Sequence, residues 1–423
     1  MTEWLEKHFL PVAAKIGAEK HLVAIRDAFI SIMPITMAGA VATLLNVFFR
    51  DLPTQFGWTG FVDTMSPIIG INSNVWWGTL AILSLVFVFS LGYNLSKAYD
   101  VSPLPGGLIA FAALITQMPQ TTADGSMWGY INWSYTQASG LFTALFIGFI
   151  ATFIYIKLVK SKVTIKLPDS VPPAVSRAFT AIIPGLIAIY VIGTLAYVVN
   201  AFTGMPINDV ISKYVQMPFL GLSQGLISVV ITVFAVQLLW MFGLHGSNVL
   251  APVLDGIYLT ALNENNVAFM QGAELPYMWT RGSFDAFVWL GGAGCSLALI
   301  IAILIFSKKE ESRTVAKLSA PMGVFNINEP VTFGLPVVLN PIYFIPSIGI
   351  PIILTIIAYV CTSIGLIPPT FVAVPWIMPP VIYAFFATGG SLMAALVALV
   401  NLIIAVALYA PFVLLANKAD SQV

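Results

Sequence analysis

Glu329, in the stretch PMGVFNINEPVTFGLPVVLNP (321–341), is an ionisable group among apolar residues, and such a group is expensive at membrane depth and marks a functional site by default. Its carboxylate would accept a hydroxyl. The competing role is an N-cap before Pro330, and the two roles coexist, because the positive end of a half-helix starting there favours the ionised, hydrogen-bond-accepting form. His245, in WMFGLHGSN (240–248), sits where an apolar run ends, with Gly243 and Gly246 letting backbone and ligand approach closely. A helix-terminal histidine bonded to backbone carbonyls fits the same position. Around these two the polar residues are amides and indoles more than charges: Asn132, Trp133, Gln137, Trp240, Asn248, Asn326, Asn328, Asn340 and Trp376. Such a palette suits an uncharged polyol, with amides and a carboxylate matching hydroxyls and indole faces covering pyranose rings. Trp4, Trp58, Trp76, Trp77 and Trp128 read instead as a belt at the membrane interface, and Trp240 and Trp376 stand between the two readings.

Other chemistries lack residues to carry them. The sequence holds no P-loop, no GxGxxG before a helix, no HExxH and no GxSxG, so an autonomous ATPase, dehydrogenase, zinc protease or hydrolase has no motif support. Cys295 and Cys361, the two cysteines, lie in apolar runs without metal-binding spacing and read as packing residues, and neither a metal nor a cofactor is expected. Arg281 and Asp285 can pair across a turn, with Asp255 and Glu264 joining them or facing water, in a structural role.

The elements that must position these residues are membrane-spanning helices. Of 423 residues 59% are apolar and 9% charged, with a mean hydropathy of +0.93, which is a composition for lipid and not for water. Eighteen basic residues balance eighteen acidic ones, so nucleic acid is not the target. Apolar runs predict spans near 24–49, 75–96, 104–119, 140–160, 180–201, 221–243, 285–306, 343–367 and 390–416, with 245–283 as a tenth, irregular crossing. Basic residues cluster at Lys157, Lys160, Lys162, Lys166 and Arg177 and at Lys308, Lys309, Arg313 and Lys317, with Lys7, Lys15, Lys20 and Arg26 at the start and Lys418 at the end. Ten spans place all of them, and both termini, on the cytoplasmic side. The loops 50–72, 120–139 and 202–220 then face outside. The N-terminal stretch does not read as a signal peptide, and Trp4, Leu5, Phe9 and Val12 at helical spacing suit a helix lying on the membrane surface.

Two segments are too irregular for ordinary spans. The stretch 245–283 is broken by Pro252, Asp255 and Gly256, and 321–341 carries Pro330, Pro336 and Pro341, so both read as re-entrant elements lining a site, with 368–380 and its Trp376 completing the lining. Residues 1–200 read as a scaffold and 201–423 as the substrate-binding part. The linker 157–179, with Pro168, Pro172 and Pro173, is a hinge zone that can hold an interfacial helix from Ala174.

NINEPVTFGLPVVLNP (326–341), FGLHGSN (242–248) and IRDAFISIMPITMAGA (25–40) together resemble the membrane-embedded IIC components of the phosphoenolpyruvate-dependent sugar phosphotransferase system, in the lactose, cellobiose and N,N'-diacetylchitobiose family. The resemblance covers nearly the whole chain. It implies an all-α polytopic fold of about ten transmembrane helices with two re-entrant hairpins and interfacial amphipathic helices, as in the glucose superfamily of IIC proteins. It also implies a homodimer built by the N-terminal half and a C-terminal domain that carries sugar across as a rigid body, in a bacterial cytoplasmic membrane. His245 and Glu329 map to the residues that contact the sugar near the hydroxyl to be phosphorylated, and Asn328, Asn340, Trp376 and Asn132 map to its surroundings, with Trp240 and Asn248 beside them. The phosphoryl donor is expected on a separate soluble IIB protein carrying a phosphocysteine, supplied by IIA. This chain ends a few residues after its last expected span and leaves no room for a fused IIB domain, which points toward the cellobiose and diacetylchitobiose branch. The basic loops 157–177 and 308–317 are candidate docking surfaces for IIB. The competing classes are a proton-coupled secondary sugar transporter, with Glu329 and His245 as a proton relay, and a passive channel.

Overall fold

The computed structural model describes residues 19–419 except 123, 124, 169, 336 and 339. The expected surface helix of Trp4, Leu5, Phe9 and Val12, and Pro336, lie outside the described residues. Among those described, helices carry the fold and the β-structure is an isolated bridge between Thr121 and Trp128.

A bilayer core of about 30 Å takes roughly 20 helical residues to cross. Among the described residues six helices are long and apolar enough, 20–51, 59–98, 141–160, 175–203, 342–363 and 392–417, and a seventh crossing is made if Ile207–Ser223 and Leu226–Met241, bent by 81°, count as one. Pro103–Thr116 and Ala293–Phe306 are apolar but shorter. The fold is therefore the all-helical membrane type that the composition predicts.

Several boundaries differ from the hydropathy reading. The stretch 50–72, expected as an outer loop, is helical through most of its length, with Thr59–Trp77 continuing a helix that the polar residues Asp63, Ser66, Asn72 and Ser73 conceal. Helices Ile207–Ile211 and Met217–Ser223, joined by a π-helical turn, occupy the expected loop 202–220. The helix expected from Ala174 begins at Pro173 and runs unbroken to Thr203, so it is continuous with the following span. The run 285–306 is not one span. Arg281–Phe287 and Ser296–Phe306 are separate helices, and between them Gly291, Gly292, Gly294 and Cys295 all take positive φ.

Two compact units divide the chain. One comprises, among the described residues, 19–39 and 74–221. Its core joins Leu83, Phe87, Val88 and Leu91 to Ala110, Ala113 and Leu114 and to Ala144, Ile147 and Ala151. Small residues bring those helices close, since a Cβ on Gly92 would lie 2.6 Å from the Gly106 carbonyl oxygen. Polar bonds cross between segments: Gln117 Nε2 donates to Asn208 Oδ1 at 2.7 Å, and Ser84 Oγ donates to the carbonyls of Tyr135 and Thr136.

The other unit comprises, among the described residues, 40–73 and 222–419 and holds two apolar clusters. One gathers Trp240, Trp279, Phe284, Trp289, Phe371 and Tyr383, the other Ala298, Ile303, Leu354, Ala405 and Tyr409. Asn401 links them, donating to the carbonyls of Phe287 and Leu354. Arg281 sits between Asp285 (2.7 Å) and Asp255 (3.4 Å) with its guanidinium over the Trp289 ring, the structural cluster its spacing predicts. Glu264 bonds to the Tyr277 hydroxyl.

Candidate functional site

The helix Leu226–Met241 ends in a turn at Gly243, whose φ of +75° suits glycine, and His245 then caps the short helix Gly246–Val249. Gly246 packs so tightly on the preceding helix that a Cβ there would collide with the Val236 carbonyl. The FGLHG sequence is thus a reversal whose glycines hold the histidine in place. Nδ1 of His245 accepts a hydrogen bond from the Asn248 backbone N–H at 3.2 Å, and the ring lies 4.5 Å, centroid to centroid, from Trp240. The Trp240 indole is buried and its Nε1 has no partner within the described residues.

Glu329 approaches from the other irregular segment. Helix Glu310–Val324 runs through Pro321, turns at Phe325–Asn328, and helix Glu329–Gly334 follows. The N-cap position belongs to Asn328, so Glu329 stands in the first turn and not at the cap, with Pro330 behind it. Asn328 Nδ2 donates to Thr332 Oγ1 at 3.3 Å.

His245 Nε2 and Glu329 Oε1 face each other across 3.9 Å, and both side chains remain 43% and 45% exposed. That separation is too long for a hydrogen bond, yet a hydroxyl oxygen placed about 2.8 Å from each atom fits between them. With Nδ1 occupied as an acceptor, the neutral imidazole presents Nε2–H, so one hydroxyl can accept from the histidine and donate to the carboxylate.

The remaining expected residues fall at several places. Asn248 belongs to the His245 turn. Asn340 caps the helix Pro341–Ser363, its Oδ1 accepting from the Ile342 N–H, and the helix after it carries the chain away. Trp376 is 41% exposed, and its carbonyl accepts from Asn326 Nδ2 at 2.6 Å. Asn132 lies in the other unit, where its Oδ1 accepts from the Ser134 N–H and caps a 3-10 turn. One contributor the spacing argument missed is the glycine loop 291–294. Gly291 N–H donates to Asn326 Oδ1, and a Cβ on Gly292 would lie 2.8 Å from Asn328 Oδ1. Its signal was present as three glycines within four residues of a supposed span. Gln237, fully buried, supports the loop by accepting from the Gly294 N–H at 2.8 Å.

Of the basic residues near 308–317, Arg313 turns inward and donates to the carbonyls of Leu304 and Ser307, closing the end of the helix Ser296–Phe306. Lys308 and Lys317 are exposed.

Long apolar helices together with interrupted ones that hold a histidine, a carboxylate and indoles define a polytopic membrane protein built as a carrier is built. The chain belongs to the EIIC family of the phosphotransferase system, whose family model (Phosphotransferase system, EIIC) matches residues 26–351. It is an integral membrane protein. It is 40% identical to the PTS system cellobiose-specific EIIC component of Lactococcus lactis subsp. lactis (strain IL1403), over 99% of this chain and 98% of that one. With the PTS system oligo-beta-mannoside-specific EIIC component of Bacillus subtilis (strain 168) it shares 35% identity, over 99% and 95%. The crystal structure of the transporter ChbC, the IIC component from the N,N'-diacetylchitobiose-specific phosphotransferase system, superposes with a TM-score of 0.91 at 32% identity, covering 99% of both chains.

Proposed function

We propose that this protein binds a β-linked disaccharide of the cellobiose or N,N'-diacetylchitobiose type and carries it across a bacterial cytoplasmic membrane, coupled to phosphorylation of the sugar 6-hydroxyl by a phosphorylated IIB partner that is recharged by IIA. The observation that carries the reading is the gap between His245 and Glu329, sized for one hydroxyl between a donor and an acceptor. The kinship with cellobiose- and diacetylchitobiose-specific proteins supports the substrate class.

In the proposed step the sugar O6 attacks the phosphorus of the IIB phosphocysteine. The O–P bond forms as the S–P bond breaks, the thiolate leaves with the IIB protein, and the O6 proton passes to Glu329. His245 Nε2–H holds the same oxygen in line. Trp376 offers its indole face to the sugar rings, the buried Trp240 backs the His245 ring, and Asn328, Asn340 and Asn248 are proposed to take its other hydroxyls. A homodimer is proposed, with residues 1–200 chiefly as the fixed scaffold and residues 201–423 as the part that moves in an elevator-like stroke. Both termini then face the cytoplasm, as do the exposed Lys308 and Lys317.

The test is uptake of radiolabelled cellobiose into proteoliposomes with and without phosphorylated IIB inside, followed by identification of the internal sugar. Sugar phosphate that accumulates only with IIB is the expected result. Free sugar accumulating on a proton gradient, indifferent to IIB, would replace this proposal with proton-coupled transport through the same pair.

A further inference from the structure

Asn326 is buried and ties two distant stretches of chain to its own turn through one carboxamide. Its Oδ1 accepts from the Gly291 N–H at 2.9 Å, and its Nδ2 donates to the carbonyls of Trp376 at 2.6 Å and Met378 at 2.8 Å. Both amide protons are therefore used, on partners 50 and 52 residues away in sequence, while the oxygen reaches back 35 residues. The residue also takes a φ of +62°, a left-handed conformation that asparagine tolerates better than most side chains. Its main chain is fixed in turn, since the Asn326 N–H donates to Gly323 O and Ile327 N–H to Met322 O as helix Glu310–Val324 ends. Gly292 backs against the same loop, with no space for a Cβ beside Asn326 O and Asn328 Oδ1.

Three segments meet here that regular secondary structure does not join: the glycine loop, the turn leading to Glu329, and the non-helical stretch bearing Trp376. We infer that Asn326 is a positioning residue for sugar recognition, fixing the main chain of Trp376 relative to that of Glu329 so that the indole and the carboxylate meet the same sugar. The inference rests on the proposal that these two side chains bind sugar. Aspartate is the informative replacement. It keeps the shape and the acceptor toward Gly291, and it removes both donors, leaving the carbonyls of Trp376 and Met378 facing an acceptor.

A double-mutant cycle on the purified full-length protein, read as equilibrium binding of radiolabelled cellobiose, tests it. Asn326→Asp and Trp376→Ala should each weaken binding about tenfold, and adding Asn326→Asp to Trp376→Ala should change affinity by less than about twofold. A residue that merely supports the fold would give effects that multiply, and that result overturns the inference. So does wild-type affinity in Asn326→Asp when Trp376→Ala is weakened, which leaves the sugar site standing. Wild-type affinity in Trp376→Ala overturns the inference together with the placement of sugar at Trp376. Should Asn326→Asp fail to accumulate as folded protein, Asn326→Gly, which adopts a positive φ without strain, enters the same cycle with the same expected values.

Discussion

Because the Asn248 N–H occupies Nδ1 of His245, the proposed site gives the ring and the carboxylate distinct tasks at a hydroxyl, one donating and the other accepting. Glu329→Gln preserves shape and removes the proton acceptor. Sugar phosphorylation by phosphorylated IIB should fall by about 10²–10⁴-fold, while cellobiose binding, measured on the same preparation, weakens by about tenfold or less. His245→Ala should weaken both, and a variant that lost thermal stability alone would assign the histidine to its turn. Glu329 stood out in the sequence because a carboxylate in an apolar run has few bland explanations, whereas His245 fitted a helix end equally well, and the structure sets the two side chains 3.9 Å apart. Asn326 stood among the amides without distinction, since no spacing reveals that one carboxamide will reach two loops 35 to 52 residues distant.

At the scale of elements, hydropathy located the long helices and misjudged where apolar sequence is broken. Thr59–Trp77 escaped because its polar residues lower the average over a window, and the break at Gly291–Cys295 escaped because glycine is common inside membrane helices. The start of the first described helix, Lys20–Ser31, has a capping signal that can be tested. Glu19 accepts from the N–H groups of His21 and Leu22, and its carboxylate lies 2.5 Å from the His21 imidazole. Slight burial pushes its pKa up, but the Leu22 N–H and His21 outweigh this and hold it below the ordinary carboxylate value of 4.5. A depressed folded-state pKa means that the cap's contribution is complete above the unfolded value and is lost as pH falls through the folded one. Melting temperature in detergent should therefore drop less on acidification below pH 4.5 in Glu19→Ala than in the wild type, and at pH 7 the substitution should cost about 1 kcal/mol.

For the whole molecule, the proposed partnership with IIB makes a claim about charge. If the stretch 308–317, expected as a loop but helical from Glu310, receives IIB, Lys308→Glu with Lys317→Glu should raise the KM for phosphorylated IIB severalfold, and the gap to wild type should close as ionic strength rises. Cellobiose affinity should stay unchanged. Arg313 is not part of that test, since its guanidinium closes a helix end and its loss would register as reduced stability.

The grip of Asn326 falls on the carbonyl oxygens of residues 376 and 378 and leaves the side chain of residue 376 out of the bond. What is held is therefore independent of what is displayed. A carrier with this arrangement can exchange the displayed group for a smaller ring, an amide or an aliphatic chain and keep the loop where it was. If Trp376 meets the sugar as proposed, selectivity for one sugar over another becomes a trait that a single codon can alter at little cost to folding, which makes position 376 a natural place to begin retargeting the protein to new carbohydrates.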